Sequence, residues 1–307
     1  MTEERAGAPD AAPHLGVDIG GTKVALRAEA GDGSVHEHVF AWQPRHSADR
    51  DLAQLAGEVG EFRTALAAPP AAVGVAMPAS VGPDERITAW PSRPEWTGTH
   101  LGAALRALFP EAAVAWADDG DLGALAEARL AGCEDLLYLG VGTGIGGGLV
   151  LRGELCPGLG RGSFEIGHTV VALDGPPCVC GRRGCLQAVA SGPATLRHAA
   201  RLRGGDTDFA ALRQAWCDEE PWARAALQRT ARALAAAAVS VQELLHPRLL
   251  LLGGGFASGI PDLHTLVSAH LTELARPGQP RLEVRTASLG GLSSLRGAIA
   301  LARLIRP

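Results

Sequence analysis

The sequence lacks the features that bring a protein to a nucleic acid or a membrane. It contains no run of basic residues, and its formal net charge is -5. Because a nucleic-acid backbone is bound by concentrated positive charge, a nucleic-acid partner is not expected. No stretch approaches the roughly 18 uninterrupted apolar residues of a membrane span. The first 13 residues are acidic and rich in alanine and proline, unlike a signal peptide, so a soluble, cytoplasmic protein without a membrane partner is expected.

Cysteine and lysine are both scarce. Six cysteines in a chain of 307 residues are too few for a disulfide scaffold. Three of them, Cys178, Cys180 and Cys185, lie within eight residues, and this crowding indicates a metal site. The one lysine of the sequence is Lys23, so its position beside a glycine pair is of interest.

The composition is that of an ordinary globular protein, with 47% hydrophobic and 20% charged residues. This is enough for one large domain or two of medium size. Apolar runs bounded by glycine and proline predict strands, and longer periodic runs predict helices. Strands are predicted at 15–19, 24–28, after 31–33, and at 72–77, 113–117, 136–141, 149–152 and 249–252. Helices are predicted at 52–66, 122–130, 222–245 and 295–305. The alternation of strands and helices indicates an α/β fold.

Glycine-rich turns follow three of the predicted strands. The first is Asp18-Ile19-Gly20-Gly21-Thr22-Lys23, the second spans 142–148 and the third spans 253–255. Glycine lets backbone N–H groups approach an anion closely, and an aspartate before the turn can hold Mg²⁺. A plain hairpin with an Asx turn would explain one such turn, but three favour a nucleotide site. Neither the Walker nor the Rossmann spacing is met.

These turns and two further motifs resemble the ROK family of bacterial sugar kinases and sugar-responsive repressors, within the actin and hexokinase superfamily. The further motifs are Glu165-Ile166-Gly167-His168 and Cys178-Val179-Cys180-Gly181-Arg182-Arg183-Gly184-Cys185. The resemblance implies a two-lobed actin/hexokinase-like fold, a duplicated ribonuclease H-like architecture with a structural zinc knuckle. It divides the chain into a disordered tail at 1–13, a small α/β lobe at 14–117 and a large α/β lobe at 118–295. The C-terminal helix, 296–307, is expected to fold back onto the small lobe.

The resemblance also implies a site for ATP and Mg²⁺. The first turn would meet the β- and γ-phosphates, the second the other phosphates, and the third the adenosine. The residues assigned to this site are Asp18, Gly20, Gly21, Thr22, Lys23, Gly142, Thr143, Gly144, Gly146, Gly253, Gly254, Gly255 and Phe256.

A zinc site is predicted from the spacing H-x9-C-x-C-x4-C, formed by His168, Cys178, Cys180 and Cys185. Three thiolates and one imidazole fill a tetrahedral Zn²⁺ shell, which is typical of a structural site rather than a hydrolytic one. A chance cluster of free cysteines is the alternative. The resemblance implies that such a knuckle holds the sugar-binding loop and that the histidine also reaches the sugar.

The segment Asp118-Asp119-Gly120-Asp121 lies between a predicted strand and a predicted helix. Helix capping would explain one aspartate there, but not three. Aligned on the family pattern E-N-D-A-N, Asp119 takes the place of the catalytic aspartate, the general base for the hydroxyl that attacks the γ-phosphate.

The predicted sugar contacts are Ser92, Asp118, Asp119, Glu165, His168 and Gln187. Three of them depart from the family pattern, because Ser92 and Asp118 replace asparagines and Gln187 replaces a glutamate. The resemblance implies that the residue at position 118 contacts the hydroxyls at carbons 3 and 4 of a hexose. A carboxylate only accepts hydrogen bonds and favours an ammonium group there. The preferred acceptor is therefore the 6-hydroxyl of kanosamine, 3-amino-3-deoxyglucose, whose kinases in actinomycete antibiotic pathways resemble ROK glucokinases.

Other readings stay open. If Asp118 is a neutral substitution, the protein is a glucokinase. A valiolone-type C7-cyclitol 7-kinase is a further alternative, although such an acceptor offers Asp118 no amine. A sugar-sensing repressor is disfavoured because only 13 residues precede His14, too few for a helix-turn-helix domain. The resemblance also suggests a homodimer, because family members are often dimers.

Overall fold

The computed structural model describes residues 12–44 and 47–305. Residues 1–11 of the predicted tail and the last two residues of the predicted terminal helix lie outside this range. The strands are β1 (His14–Ile19), β2 (Lys23–Glu29), β3 (Val35–Ala41), β4 (Ala72–Ala76), β5 (Ser80–Val81), β6 (Ile87–Ala89), β7 (Ala113–Ala117), β8 (Leu136–Val141), β9 (Ile145–Leu151), β10 (Glu154–Cys156), β11 (Leu249–Gly253) and β12 (Glu283–Thr286). The helices are α1 (Ala48–Thr64), α2 (Leu101–Leu108), α3 (Asp119–Ala131), α4 (Leu186–Ala190), α5 (Gly192–Arg203), α6 (Phe209–Cys217), α7 (Pro221–Leu245), α8 (Gly255–Gly259), α9 (Leu263–Leu274) and α10 (Ser293–Ala302). Short 3-10 turns lie at Pro94–Trp96, Ile166–His168 and Gly290–Leu292.

The two main sheets have the same topology. The first has the strand order β3-β2-β1-β4-β7 and the second has the order β10-β9-β8-β11-β12. In each, an antiparallel meander of three strands continues into two parallel strands. The predicted α/β class with a duplicated architecture is confirmed.

Each sheet belongs to its own compact unit. One unit contains the described residues up to Leu122, the segment Gly158–Ser163 and the residues from Ser294 onward. The other contains Gly123–Pro157 and Phe164–Ser293. Alternate side chains of β1 and β2 are fully buried in the first core, and all five residues of β11 are buried in the second. In the described part of the chain, no helix has both the length and the apolar character needed to cross a membrane.

The last helix packs against the first sheet through two glycines. The Cβ that any other residue would place at Gly16 would lie 2.9 Å from the Ile299 nitrogen. A Cβ at Gly74 would overlap the carbonyl oxygen of Ala298. The backbone of α10 therefore contacts the backbones of β1 and β4 directly. Residues with a Cβ at these two positions would prevent this close approach.

Replacing Gly74 with alanine is expected to lower the stability of the protein. The new methyl group must displace α10 from β4, and overpacking of this kind costs about 1–3 kcal/mol. Thermal unfolding measures the loss. Gly57→Ala is the matched control, because Gly57 is an exposed residue of α1 with open space at its Cβ position. That variant should gain up to about 1 kcal/mol from helix propensity. A Gly74→Ala protein as stable as the wild type would contradict the close packing of α10.

Candidate active site

The first glycine turn joins β1 to β2. The N–H of Gly20 donates to the carbonyl oxygen of Lys23 at 3.0 Å and closes the turn. A Cβ at Gly21 would overlap the hydroxyl oxygen of Ser92. Glycine therefore allows the loop that carries Ser92 to touch this turn. Two residues predicted for different ligands, Gly21 for phosphate and Ser92 for sugar, are neighbours.

Asp18 lies at the end of β1, half-buried, and its carboxylate accepts a hydrogen bond of 2.6 Å from the Ser294 hydroxyl. Burial raises the pKa of Asp18, and the nearby charge of Asp119 raises it further. The Ser294 hydrogen bond and the charge of Lys23 act in the opposite direction. Two carboxylates that repel each other in a partly buried place offer the oxygen ligands that Mg²⁺ prefers. The residues present therefore fit a divalent cation.

Asp118 caps helix α3. Its carboxylate oxygen Oδ1 accepts the N–H of Gly120 at 3.0 Å, and its carbonyl oxygen accepts the N–H of Leu122 at 3.0 Å. Asp119 is the first residue of the helix. An asparagine caps a helix as well as an aspartate does. Capping therefore requires an oxygen at position 118, which asparagine would supply as well as aspartate.

The second glycine turn is shorter than the predicted 142–148. The N–H of Gly142 donates to the carbonyl oxygen of Gly144 at 2.9 Å, and β9 begins at Ile145. The prediction that the return strand starts at 149 was wrong. A Cβ at Gly147 would lie 2.5 Å from the Tyr138 carbonyl oxygen, so this glycine serves strand packing rather than a turn. Thr143 and Gly146 are both exposed, but Gly146 lies within β9.

The third glycine turn follows β11 and lies against the end of β8. Gly254 has a φ of 85°, and a Cβ there would lie 2.5 Å from the Val141 nitrogen. Because Val141 precedes Gly142, the second and third turns are adjacent. Gly253 is buried and Gly255 is exposed, whereas the ring of Phe256 is buried edge-on to Phe209 at 5.4 Å between centroids. Phe256 thus supports the turn from within the core.

Glu165 precedes the 3-10 turn Ile166–His168, which packs directly on β9. A Cβ at Gly167 would overlap the carbonyl oxygen of Ile145. The N–H of His168 donates to the Glu165 carbonyl oxygen at 3.0 Å. This turn leaves the Glu165 side chain exposed and the imidazole of His168 partly exposed.

His168, Cys178, Cys180 and Cys185 form one cluster, with their ligand atoms all within 4.8 Å of one another. Cys180 Sγ lies 3.6 Å from Cys185 Sγ, and Cys178 Sγ lies 3.7 Å from His168 Nδ1. Zinc–sulfur bonds of about 2.3 Å in a tetrahedron place two sulfurs about 3.8 Å apart. The donor set and its spacing therefore fit a structural Zn²⁺, as the sequence predicts.

The pKa values of the three thiols are shifted in different directions. Burial raises the pKa of Cys178, but hydrogen bonds from the Cys180 N–H and the Gln187 amide bring it below the usual thiol value. The N–H of Arg182 lowers the pKa of Cys180. Burial and the neighbouring Cys180 raise the pKa of Cys185 to about 12. Because Zn²⁺ binds thiolates, a Zn²⁺ ion held by this cluster would bind Cys185 in its deprotonated form.

Two glycines form the turns of the knuckle. Gly181 has a φ of 88° and Gly184 a φ of 69°, both in the left-handed region. A Cβ at Gly184 would also overlap the Ala172 carbonyl oxygen. The N–H of Cys178 donates to the Arg182 carbonyl oxygen at 2.8 Å and closes the loop. The left-handed turns that glycine allows therefore bring the three cysteines together.

Gln187 lies between the knuckle and the second glycine turn. Its amide nitrogen is 3.5 Å from Cys178 Sγ. Its amide oxygen is 3.3 Å from the Cβ position of Gly144. An amide donates to a thiolate whereas a carboxylate cannot, so glutamine suits this position beside Cys178.

Three residues beneath the first turn were missed by the sequence analysis. The Trp42 indole donates to the Gly20 carbonyl oxygen at 2.8 Å, and Arg93 Nε donates to that of Gly21 at 2.9 Å. Arg93 forms a buried ion pair with Asp51. The one sequence feature that could have indicated this arrangement was Arg93, which lies next to Ser92 in the loop predicted to contact the sugar.

The chain is similar to known proteins over nearly its whole length. The ROK family profile matches residues 14–304. Kanosamine kinase from Amycolatopsis mediterranei is 63% identical over 292 residues, or 95% of this chain and 96% of that protein. The crystal structure of the ROK hexokinase from Thermus thermophilus has a TM-score of 0.84 and 28% identity, covering 95% of this chain and 98% of that one. A ROK family glucokinase from Streptomyces griseus, solved with glucose and AMPPNP, has a TM-score of 0.71 and 25% identity, covering 95% of this chain and all (100%) of that one.

Proposed function

Because the chain belongs to the ROK family, we propose that it is an ATP-dependent sugar kinase whose acceptor is the 6-hydroxyl of kanosamine. The observation that carries this proposal is the 63% identity to a kanosamine kinase over 95% of the chain. The carboxylate at position 118 supplies a physical reason for an amino sugar. The products are ADP and the sugar 6-phosphate.

Asp119 is the proposed general base. Its carboxylate accepts the proton of the 6-hydroxyl as the hydroxyl oxygen attacks the γ-phosphorus. The bond from the γ-phosphorus to its bridging oxygen breaks, and ADP leaves with that oxygen. Such a transfer needs mainly positioning and charge neutralisation. A bound Mg²⁺, for which Asp18 is the proposed ligand, supplies charge neutralisation at the phosphates.

The glycine turns are the proposed phosphate sites. The first turn contains Gly20 and Gly21. The second contains Gly142 and Gly144, and the third contains Gly254. The second and third turns are neighbours through Val141, which supports a common role in binding one nucleotide. Glu165 and His168, on a turn packed against β9, are the proposed sugar contacts beside the zinc knuckle.

Asp118 is the residue that we propose binds the sugar amine. One of its oxygens caps α3, and we assign its negative charge to the sugar amine. A hydrogen bond between a carboxylate and an ammonium group contributes about 1.5–3 kcal/mol, which is roughly a 10- to 150-fold preference. Glucose has a neutral hydroxyl at the same carbon and gains no such preference.

The direct test is an assay of ADP release with Mg-ATP and four acceptors at equal concentration. These are kanosamine, glucose, glucosamine and a valiolone. The highest kcat/KM is expected with kanosamine. If kcat/KM is highest with glucose, the protein is a glucokinase instead. The similarity to the glucokinase solved with glucose favours this second candidate. Turnover of the valiolone alone would place the enzyme in cyclitol phosphorylation.

Replacing Asp118 with asparagine is expected to lower the preference for kanosamine over glucose by about 10- to 100-fold. Asparagine keeps the oxygen that accepts the Gly120 N–H but removes the charge, so the cap of α3 is retained. The measurement is the ratio of kcat/KM for the two sugars.

Asp32→Asn is the matched control. The Asp32 carboxylate likewise accepts an N–H two residues ahead, from Ser34 at 2.8 Å, in an exposed turn. This variant should leave the preference between the two sugars unchanged. An equally unchanged preference in Asp118→Asn would refute the role of charge at position 118.

A further inference from the structure

A buried ion pair lies beneath the first glycine turn. The side chains of Arg93 and Asp51 are 1% and 4% exposed. Asp51 lies on α1, and Arg93 immediately precedes the 3-10 turn Pro94–Trp96. Burying two charges costs solvation that their attraction roughly offsets, so such a pair is weak evidence for a stabilising role. Its contacts indicate a different one.

The pair and its aromatic neighbour hold three successive carbonyl groups of the turn. Arg93 Nε donates to Gly21 at 2.9 Å, and Trp42 Nε1 donates to Gly20 at 2.8 Å. The backbone N–H of Trp42 donates to the Thr22 carbonyl oxygen at 3.1 Å. Each of these three carbonyl groups therefore has a hydrogen-bond donor from outside the turn.

A trans peptide points its N–H opposite to its C=O. With the carbonyl groups of Gly20 and Gly21 held by Trp42 and Arg93, the N–H groups of Gly21 and Thr22 point away from these two donors. Successive N–H groups directed to one side form a site for an anion. Arg93 thus contributes to the orientation of the N–H groups proposed to meet phosphate, without touching the phosphate.

Asp51 and two tryptophans fix the plane of the Arg93 guanidinium. The Asp51 carboxylate accepts from Arg93 Nη1, and from the Trp96 indole at 2.8 Å. The guanidinium lies 4.5 Å from the centre of the Trp42 ring. One planar group therefore reaches Asp51 and Gly21 at once. A lysine ammonium is a single point charge that cannot reproduce this fork.

We propose that Arg93, held by Asp51, is a positioning residue that orients the first glycine turn for the β- and γ-phosphates of ATP. The inference rests on the proposed kinase function, because it takes this turn as a phosphate site. It also links the turn to the acceptor, since Ser92, adjacent to Arg93, touches Gly21.

The test compares two nucleotides by isothermal titration calorimetry with the full chain. AMPPNP has the β- and γ-phosphates, and AMP lacks both. In Arg93→Lys, the affinity for AMPPNP is expected to fall about 10- to 100-fold, with the affinity for AMP unchanged. In kinetics, the KM for ATP should rise with little change in the KM for the sugar.

A second variant addresses the risk of misfolding. In Asp51→Asn/Arg93→Met both buried charges are removed together, and the asparagine that replaces Asp51 can still accept the Trp96 N–H. The same selective loss of AMPPNP affinity is expected. Arg106→Lys is the control, because Arg106 forms an exposed ion pair with Glu85 in the same unit. It should bind both nucleotides like the wild type.

An equal loss of affinity for AMPPNP and AMP would show that Arg93 has a purely structural role, and it would overturn the proposal. No loss of AMPPNP affinity in either variant would overturn it as well. A wild-type protein that binds AMPPNP but phosphorylates no sugar would refute the proposed kinase, while the selective loss would still support Arg93. A wild-type protein that binds neither nucleotide would refute both.

Discussion

An Asp119→Asn enzyme is expected to have a kcat lower by about 10²- to 10⁴-fold, the usual contribution of a general base. Asparagine has the size of aspartate but cannot accept the proton of the sugar hydroxyl at neutral pH. The helix should remain intact, because Asp118 rather than Asp119 supplies the cap of α3. The KM values for ATP and sugar should change little, since binding does not require the proton transfer. Steady-state ADP release and thermal unfolding test both expectations.

The matched control for Asp119→Asn is Asp49→Asn. Asp49 is an exposed acidic residue in the first turn of α1, as Asp119 is in the first turn of α3. Both substitutions remove a charge that favours the N-terminus of a helix, an effect of about 0.3–1 kcal/mol on stability. Only the Asp119 variant should lose turnover. A variant with kcat close to that of the wild type would show that another group takes the proton.

Loss of a zinc ligand is expected to have the second largest effect. A Cys178→Ser protein should lack the stoichiometric zinc expected of the wild type, and its kcat/KM for the sugar should fall about 100-fold. The physical reason is that His168 belongs to the cluster and is also a proposed sugar contact. Without the metal, the coordination that fixes the imidazole is gone. Elemental analysis and steady-state kinetics give the two readouts.

Cys217→Ser is the control for the zinc experiment. Cys217 is an exposed cysteine at the end of α6, outside the cluster. Its replacement should leave zinc content and activity unchanged. Treatment of the wild type with a chelator should reproduce the loss of activity, and added Zn²⁺ should restore it. A purified wild-type protein that is fully active without stoichiometric zinc would contradict the assignment.

Local spacing and local backbone chemistry made part of the site predictable. The metal-binding cluster was predicted because three cysteines lie within a few residues of glycines that can turn the chain. The cluster is confirmed as a group that fits zinc, with all ligand atoms within 4.8 Å of one another. The α/β class followed from apolar runs between glycines and prolines, because such runs reflect burial. Strand β8 was predicted with the bounds that the structure has, Leu136–Val141.

The glycine run after β8 contains both a turn and the start of a strand. A sequence analysis that assigns every glycine to the turn places the next strand at 149, but β9 begins at Ile145. The reason lies outside the run, because Gly147 is pressed between the Tyr138 carbonyl oxygen and the Ile166 side chain. The sequence shows that a side chain is absent, but not whether a turn or a close contact requires its absence.

The sequence by itself determined the residues that chemistry requires at short spacing: the glycine turns, the cysteines of the knuckle and the acidic start of α3. Only the tertiary structure decided which distant residues support them. Asp51 and Arg93 meet from separate elements beneath Gly21, and Ser294 reaches Asp18 from the far end of the chain. Local patterns reflect backbone geometry and burial, whereas these contacts depend on sheet order and helix packing, which no short stretch of sequence encodes.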